Sequence, residues 1–309
     1  MHELIPQIPA EYVMPLNMNG LKGRMLRVPA AKQKKREILF VYGHHASLER
    51  IYGFAEVLRD YGNVTIPDMP GFGGMDSFYQ IGDVPTLDAL ADYLASFVAL
   101  RYRNRRVTLI GFSFGFLVIT RMLQNYPELR RKVDLVVSMA GFSHHQDFIF
   151  TKTRRWMYIQ GVKIFERRLP AFFFRSIALH PSVIRNLYKH TFNAKDKFQD
   201  LSPQEAKAVA EFEVQLWRSN EIRTHMHTTH EFLTVDNCSV EIPLPAIHVG
   251  AATDKYFNNQ VVEQHLRVIF DDLQVMHAKS DKHSPSIIAD KKAAAAFFPR
   301  KLRTILNKS

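Results

Sequence analysis

A chain of 309 residues, 46% of them hydrophobic, has an ordinary globular composition and is long enough for one large α/β domain with an insertion or for two modest domains. Its single cysteine, Cys238, excludes an intrachain disulfide framework and points to a reducing, cytoplasmic compartment; no apolar run approaches the roughly 18 residues of a membrane span, and the first residues lack a basic, apolar leader. Forty-one Lys and Arg against 30 Asp and Glu give a formal charge of +11, which raises the local concentration of anionic partners such as lipid headgroups, acidic metabolites or nucleic acid.

Residues 21–28 alternate like a half-exposed strand, and the polar run 29–35 reads as a turn. The short apolar run 37–42 has the character of a central strand buried on both faces. A further strand at 63–66 is closed by Pro67 and Pro70-Gly71. From Leu87 the apolar residues recur with a helical period, and Thr86 stands where an N-cap belongs. Strand 107–112 runs into Gly111-Phe112-Ser113-Phe114-Gly115, followed by an apolar helix ending near Tyr126-Pro127. After a strand at 133–139 the alternation breaks. Residues 142 to about 240 read as helices rich in aromatics and arginine. Strands then resume at 246–249 and 273–276, with a helix at 259–269 between them and a last helix expected from about Pro285 to Leu306. Strands alternating with helices predict an α/β fold: a mostly parallel central sheet with helices on both faces, and a helical insertion at its carboxyl edge, where ligands bind.

By itself a Gly-x-Ser-x-Gly pentapeptide is weak evidence. Between a β-branched strand and an apolar helix it describes a sharp turn that projects Ser113 from the end of a sheet, with the amide of Phe114 and a helix N-terminus behind it. An exposed serine needs a base, and the base needs an orienting carboxylate. Asp254 lies five residues beyond the strand at 246–249, and His283 follows the strand at 273–276, so both fall on loops at the same sheet edge as Ser113. On these residues the chain resembles α/β-hydrolase-fold proteins with a helical cap, from its first strand to its last helix. The resemblance implies Ser113 as nucleophile, Asp254 as the orienting acid and His283 as the base. It implies an oxyanion hole built from the backbone amides of Phe114 and His44. Many relatives carry His-Gly ahead of the second donor, whereas this chain has Tyr42-Gly43. The segment Asp68-Met69-Pro70-Gly71-Phe72-Gly73 matches a family turn that shapes a loop beside the pocket.

A serine at the elbow excludes the aspartate-dependent dehalogenase and epoxide-hydrolase branches. It leaves esters, thioesters, lactones, acyl transfer and C–C bond cleavage. No phosphate-binding glycine fingerprint competes, because Gly71-Phe72-Gly73-Gly74 has the wrong spacing and no helix after it. Other candidates are Asp271 and Asp272, expected at the opposite sheet edge, a solvated Asp281, and His277 as a buried structural histidine. His225, His227 and His230 are two, three and five apart, which does not put three metal ligands on one helical face. His144 and His145 open the insertion, either facing the pocket or serving as hinge or surface.

In the insertion, Trp156, Met157, Tyr158, Phe165, Leu169 and Phe172–Phe174 interleave with arginines; the plain expectation is aromatics packed inward and charges outward. Nine basic residues and one acid, Glu166, fall between Lys152 and Phe192, and six basic residues with no acid between Lys291 and Ser309. If both runs share a face, they provide a peripheral contact with anionic membrane. No nucleic-acid-binding module accompanies them, so no nucleic acid is expected as a partner.

The whole reads as a hydrolase core of residues 1–141 and 241–309 with a helical cap at 142–240. The expected activity is a serine hydrolase cleaving a mostly apolar carboxylic ester, with no cofactor. A C–C hydrolase or acyltransferase using the same triad, and a non-catalytic ligand-binding member of the fold, are the alternatives.

Overall fold

The computed structural model describes residues 7–190, 202–251, 253–279, 283 and 290–308. Among them, eight strands form one sheet in the order β1-β2-β4-β3-β5-β6-β7-β8. They are β1 Val13–Met18, β2 Leu21–Val28, β3 Glu37–Val41, β4 Asn63–Pro67, β5 Val107–Phe112, β6 Val133–Met139, β7 Ala246–Gly250 and β8 Leu273–His277. From β4 to β8 all neighbours are parallel, while β1 pairs β2 and β2 pairs β4 antiparallel. β3 and β5 are buried along their whole length, as their unbroken apolar runs require of strands covered on both faces. β1, absent from the sequence reading, carries Pro15 and pairs on one side only; a proline without an amide hydrogen is tolerated on such an edge.

Helix α1, Leu48–Leu58, leads from β3 outward to β4; α2, Leu87–Arg101, leads back past β3 to β5. Right-handed crossovers in opposite directions put α1 and α2 on opposite sheet faces. α2 packs against α3, Phe114–Asn125, and α1 against α10, Lys291–Ala295. The reversal of direction between β3 and β5 opens a crevice beyond their carboxyl ends, and Ser113 sits there. As the periodicity of 87–98 predicts, α2 starts at Thr86, whose side chain accepts from the Ala89 amide. α1 escaped the sequence reading because apolar residues occupy most of its positions and blur the period.

Between β6 and β7 the described residues hold no strand. They form α4 Lys152–Phe165, α5 Arg168–Ile177, α6 Pro181–His190, α7 Pro203–Ser219 and α8 Ile222–Thr234. α8 carries both α4 and α5, and α6 packs on α7. The two ends of this stretch meet: His144 bridges Asp236, and the Asn237 amide donates to the Ser143 carbonyl at 3.1 Å. The inward packing expected of the aromatics applies to Phe165 and Phe174, which lie against Ala171, Ile222 and Met226. Trp156, Met157, Leu169, Phe172 and Phe173 are exposed instead. After β7 comes α9, Asn259–Ile269.

The last helix is two. α10 ends at Ala295 and α11, Arg300–Asn307, begins after Pro299, because proline cannot donate to a continuing helix. Residues 284–289, where the helix was expected to start, lie outside the described residues.

Candidate active site

The turn after β5 is built from its glycines. A Cβ on Gly115 would collide with the backbone carbonyls of Val41 and Tyr42, and one on Gly111 with the backbone of Phe116. With both neighbours pared to hydrogen, strand and helix close on one another and hold Ser113 at φ 48°, ψ −118°, a conformation disfavoured for an L-residue. The Ser113 amide donates to the Met139 carbonyl at 2.9 Å, which ties the strained turn to β6.

Ser113 Oγ lies 3.1 Å from His283 Nε2, and His283 Nδ1 lies 2.6 Å from Asp254 Oδ2. Asp254 is all but buried, and its Oδ1 accepts the amides of Tyr256 at 2.8 Å and Phe257 at 3.2 Å. Burial pushes this carboxyl up, but the hydrogen bond and charge of His283 and the two amides outweigh it, so Asp254 lies below the ordinary carboxylate range. An ionised Asp254 fixes the proton of His283 on Nδ1, which leaves the Nε2 lone pair facing the Ser113 hydroxyl. The imidazole is held edge-on by Tyr256, with ring centres 5.2 Å apart, and also rests against Phe257 and Phe112.

The amides of Phe114 and His44 donate to no acceptor among the described residues. Gly43 brings the His44 loop against the serine: a Cβ there would stand 3.3 Å from that of Ser113. Tyr42, the departure from His-Gly, is buried; its hydroxyl donates to Asp68 Oδ1 at 2.9 Å and accepts the Met69 amide at 2.9 Å. It thus clamps the 68–73 turn beneath the loop. The ring of His44 packs among Phe72, Phe114, Phe232 and His225. Burial and the neighbouring His45 lower it to about 3, against a hydrogen bond to the His225 backbone, so it is neutral.

The rival candidates lie elsewhere. His277 is exposed at the end of β8, not buried, and Asp271 and Asp272 are exposed ahead of that strand. Asp281 lies outside the described residues. His144 and His145 lie against each other with tilted rings away from the cavity lining, and His144 also meets the ring of His265. His225 faces His44, whereas His227 and His230 face Glu166, so the three rings of α8 diverge. Among the described residues no three His, Cys, Asp or Glu side chains form a group that could hold a metal. Burial and Asp236 push the Cys238 thiol up to about 11, leaving it protonated near neutral pH.

A family model described as alpha/beta hydrolase fold matches residues 38–287. The chain belongs to the α/β-hydrolase-fold family. Among solved structures, the malate-bound thermophilic esterase from Thermogutta terrifontis superposes with a TM-score of 0.64 at 15% identity, over 96% of this chain and 98% of that one. The N-formylmaleamic acid deformylase of Pseudomonas putida S16 gives 0.62 at 16% identity, over 92% and 98%. The epoxide hydrolase CorEH gives 0.64 at 14% identity, over 95% and 96%. At such identities the likeness is one of fold. Comparison with the curated proteins found no match.

This α/β-hydrolase-fold chain opens Ser113 and His283 into a cavity of about 340 Å³. Phe142, Phe148, Phe232 and Phe257 line it, and Trp217 joins them from α7. A polar corner made by His45, Arg50 and Glu213 had no signature in the sequence. Asn220 Oδ1 accepts the Gly73 amide at 2.8 Å, so its Nδ2 donates to His45 Nδ1 at 3.2 Å. The other ring nitrogen of His45 therefore carries the hydrogen and donates to Glu213 Oε2 at 3.4 Å. Arg50 Nη1 donates to the His45 carbonyl at 2.8 Å and steadies that residue at φ 53°.

Proposed function

We propose that the protein is a serine hydrolase of mostly apolar carboxylic esters, with residues 142–240 forming a helical cap over the cavity. The observation that carries this reading is the hydrogen-bonded line Ser113–His283–Asp254 opening into a phenylalanine-lined cavity. His283 Nε2 takes the proton as Ser113 Oγ bonds to the ester carbonyl. The oxyanion draws on the amides of Phe114 and His44, each worth about 3–4 kcal/mol by analogy with a single oxyanion-hole donor. Collapse breaks the C–O bond, and His283 returns the proton to the departing alcohol. Water, deprotonated by the same nitrogen, then releases the acid. Asp254 stays ionised throughout and holds the imidazole in place.

The test is a fluorophosphonate probe followed by peptide mapping, together with a series of nitrophenyl esters. Labelling on Ser113 and turnover of apolar acyl esters are expected. An unlabelled Ser113 with no ester turnover would overturn the reading.

A further inference from the structure

Helix α5 is apolar on two sides. Ala171 and Phe174 face inward, against Phe165, Ile222 and Met226. Leu169, Phe172, Phe173 and Ile177 recur at i, i+3, i+4 and i+8, which is a single stripe, and it faces out. Their exposure runs from 57% for Phe173 to 70% for Leu169. On α4, Trp156, Met157 and Ile164 are likewise more than half exposed. Both helices lean on α8, so their outer faces turn away from the body of the molecule. An outward apolar stripe of this size marks an interaction surface.

The charge on these helices says what it meets. Lys152, Lys163, Arg167 and Arg168 are exposed and form no ion pair with any described residue. The one acid of α4 and α5 and their junction, Glu166, turns inward to His227 and His230, at 3.6 and 3.3 Å. The outward face is therefore apolar at its centre and cationic at its margin, the pattern of a helix lying in a lipid interface. Phe148, which lines the cavity, stacks on Phe150, and Phe150 meets Tyr158 of α4, so this face adjoins the cavity wall. We propose that the outer faces of α4 and α5 dock on an anionic lipid bilayer, with the α5 stripe in the acyl boundary and the basic margin on the headgroups.

The basic C-terminal run takes no part. Lys34 Nζ, three residues ahead of β3, donates to the Asn307 carbonyl, which puts the end of α11 at the amino edge of the sheet. Ser113 and the helices after β6 are at the carboxyl edge. The shared face that the sequence left open is thus not formed.

The proposal is tested by flotation of the full chain with vesicles of phosphatidylcholine alone and of phosphatidylcholine with phosphatidylserine. Binding to the anionic vesicles that is lost in high salt is expected. Phe172→Glu with Phe173→Glu, and separately Lys163→Glu with Arg168→Glu, are each expected to lower partitioning by about tenfold or more. All four side chains are exposed, so circular dichroism of the variants is expected to match the parent. No binding at low salt, or variants that bind like the parent, would overturn the proposal. So would a dimer in sedimentation that the Phe172→Glu, Phe173→Glu variant dissociates, since the face would then belong to a second copy. None of these readouts depends on catalysis, so they stand or fall apart from the esterase reading.

Discussion

At the scale of single residues, the site joins strain to alignment. Ser113 is held at φ 48° by the elbow, so its stability and its chemistry separate by substitution. Ser113→Ala keeps the strained backbone and removes the proposed nucleophile: kcat is expected to fall by at least about 10³-fold with little change in KM. Ser113→Gly removes the same hydroxyl, but glycine accepts this backbone without steric strain. It is expected to be more stable than Ser113→Ala by about 1–2 kcal/mol in urea unfolding, the usual scale of such strain. Equal stabilities would mean that the turn stores none. Asp254→Asn keeps the shape of the acid while losing its charge and releasing the His283 tautomer. A fall in kcat of about 10⁴-fold is the expected result, as for the same change in another serine hydrolase; a merely structural Asp254 would leave kcat near that of the parent once the protein is folded.

At the scale of elements, one kind of substitution has opposite signs in two helices. Gly115, in the first turn of α3, stands against the carbonyls of Val41 and Tyr42 at the end of β3, where a Cβ has no room. Gly161 lies in the middle of α4 and a Cβ there would meet nothing within 4 Å. Gly115→Ala is expected to destabilise by about 2 kcal/mol or more and to misalign Ser113, as an overpacked core does. Gly161→Ala is expected to stabilise by about 0.5–1 kcal/mol, because a mid-helix glycine gives up more backbone freedom than alanine. Thermal unfolding of the pair checks both signs at once. The elements legible in the sequence were those with a clean period or a cap, such as α2 behind Thr86. Those it concealed were α1, apolar at most positions, and the break between α10 and α11, where Phe297-Phe298-Pro299 continues an apolar run while the backbone turns.

At the scale of the whole molecule, acid is the expected weakness. Burial lowers His248 to about 4 and His44 to about 3, and it also holds His225 well below the ordinary range. In the unfolded chain each titrates near 6.5, so below that pH the unfolded state binds more protons than the folded one. The stability these neutral rings permit is complete above about 6.5 and falls as the pH drops toward their folded values, at about 1.4 kcal/mol per pH unit for each proton. His248 accepts or donates on Nδ1 with Ser138 Oγ at 2.9 Å, away from the cavity lining. His248→Asn should therefore lose stability at pH 7 from its smaller side chain, yet lose about one proton's worth less between pH 6 and 4. Urea titrations at the two ends of that range measure the slope; an unchanged slope would mean that His248 is protonated in the fold. Asp254 acts in the same direction at lower pH, since its depressed carboxyl gives stability that is lost as acid protonates it. None of the described helices is long and apolar enough to cross a membrane.

What the sequence determined alone is the part whose physics is local or periodic. A glycine-flanked serine between a buried strand and an apolar helix has one turn that joins them, strained though it is, and strands alternating with helices can bury both faces only as a parallel sheet. Strand ends placed Asp254 and His283 on the same sheet edge as Ser113, the resemblance to the α/β-hydrolase fold singled the three out, and the structure sets them in a hydrogen-bonded line. The tertiary structure decided everything that depends on which way a face turns. Phe172 and Phe174 are equally apolar in the sequence, yet one meets solvent and the other the core of the helical region, because only the contact with α8 orients α5. His45 and Glu213 are 168 positions apart and meet directly, the tautomer of the ring being set by an asparagine whose own orientation is fixed by a glycine amide. No composition or spacing encodes that encounter, since it exists only once the loop after β3 and the helix α7 close on the same cavity.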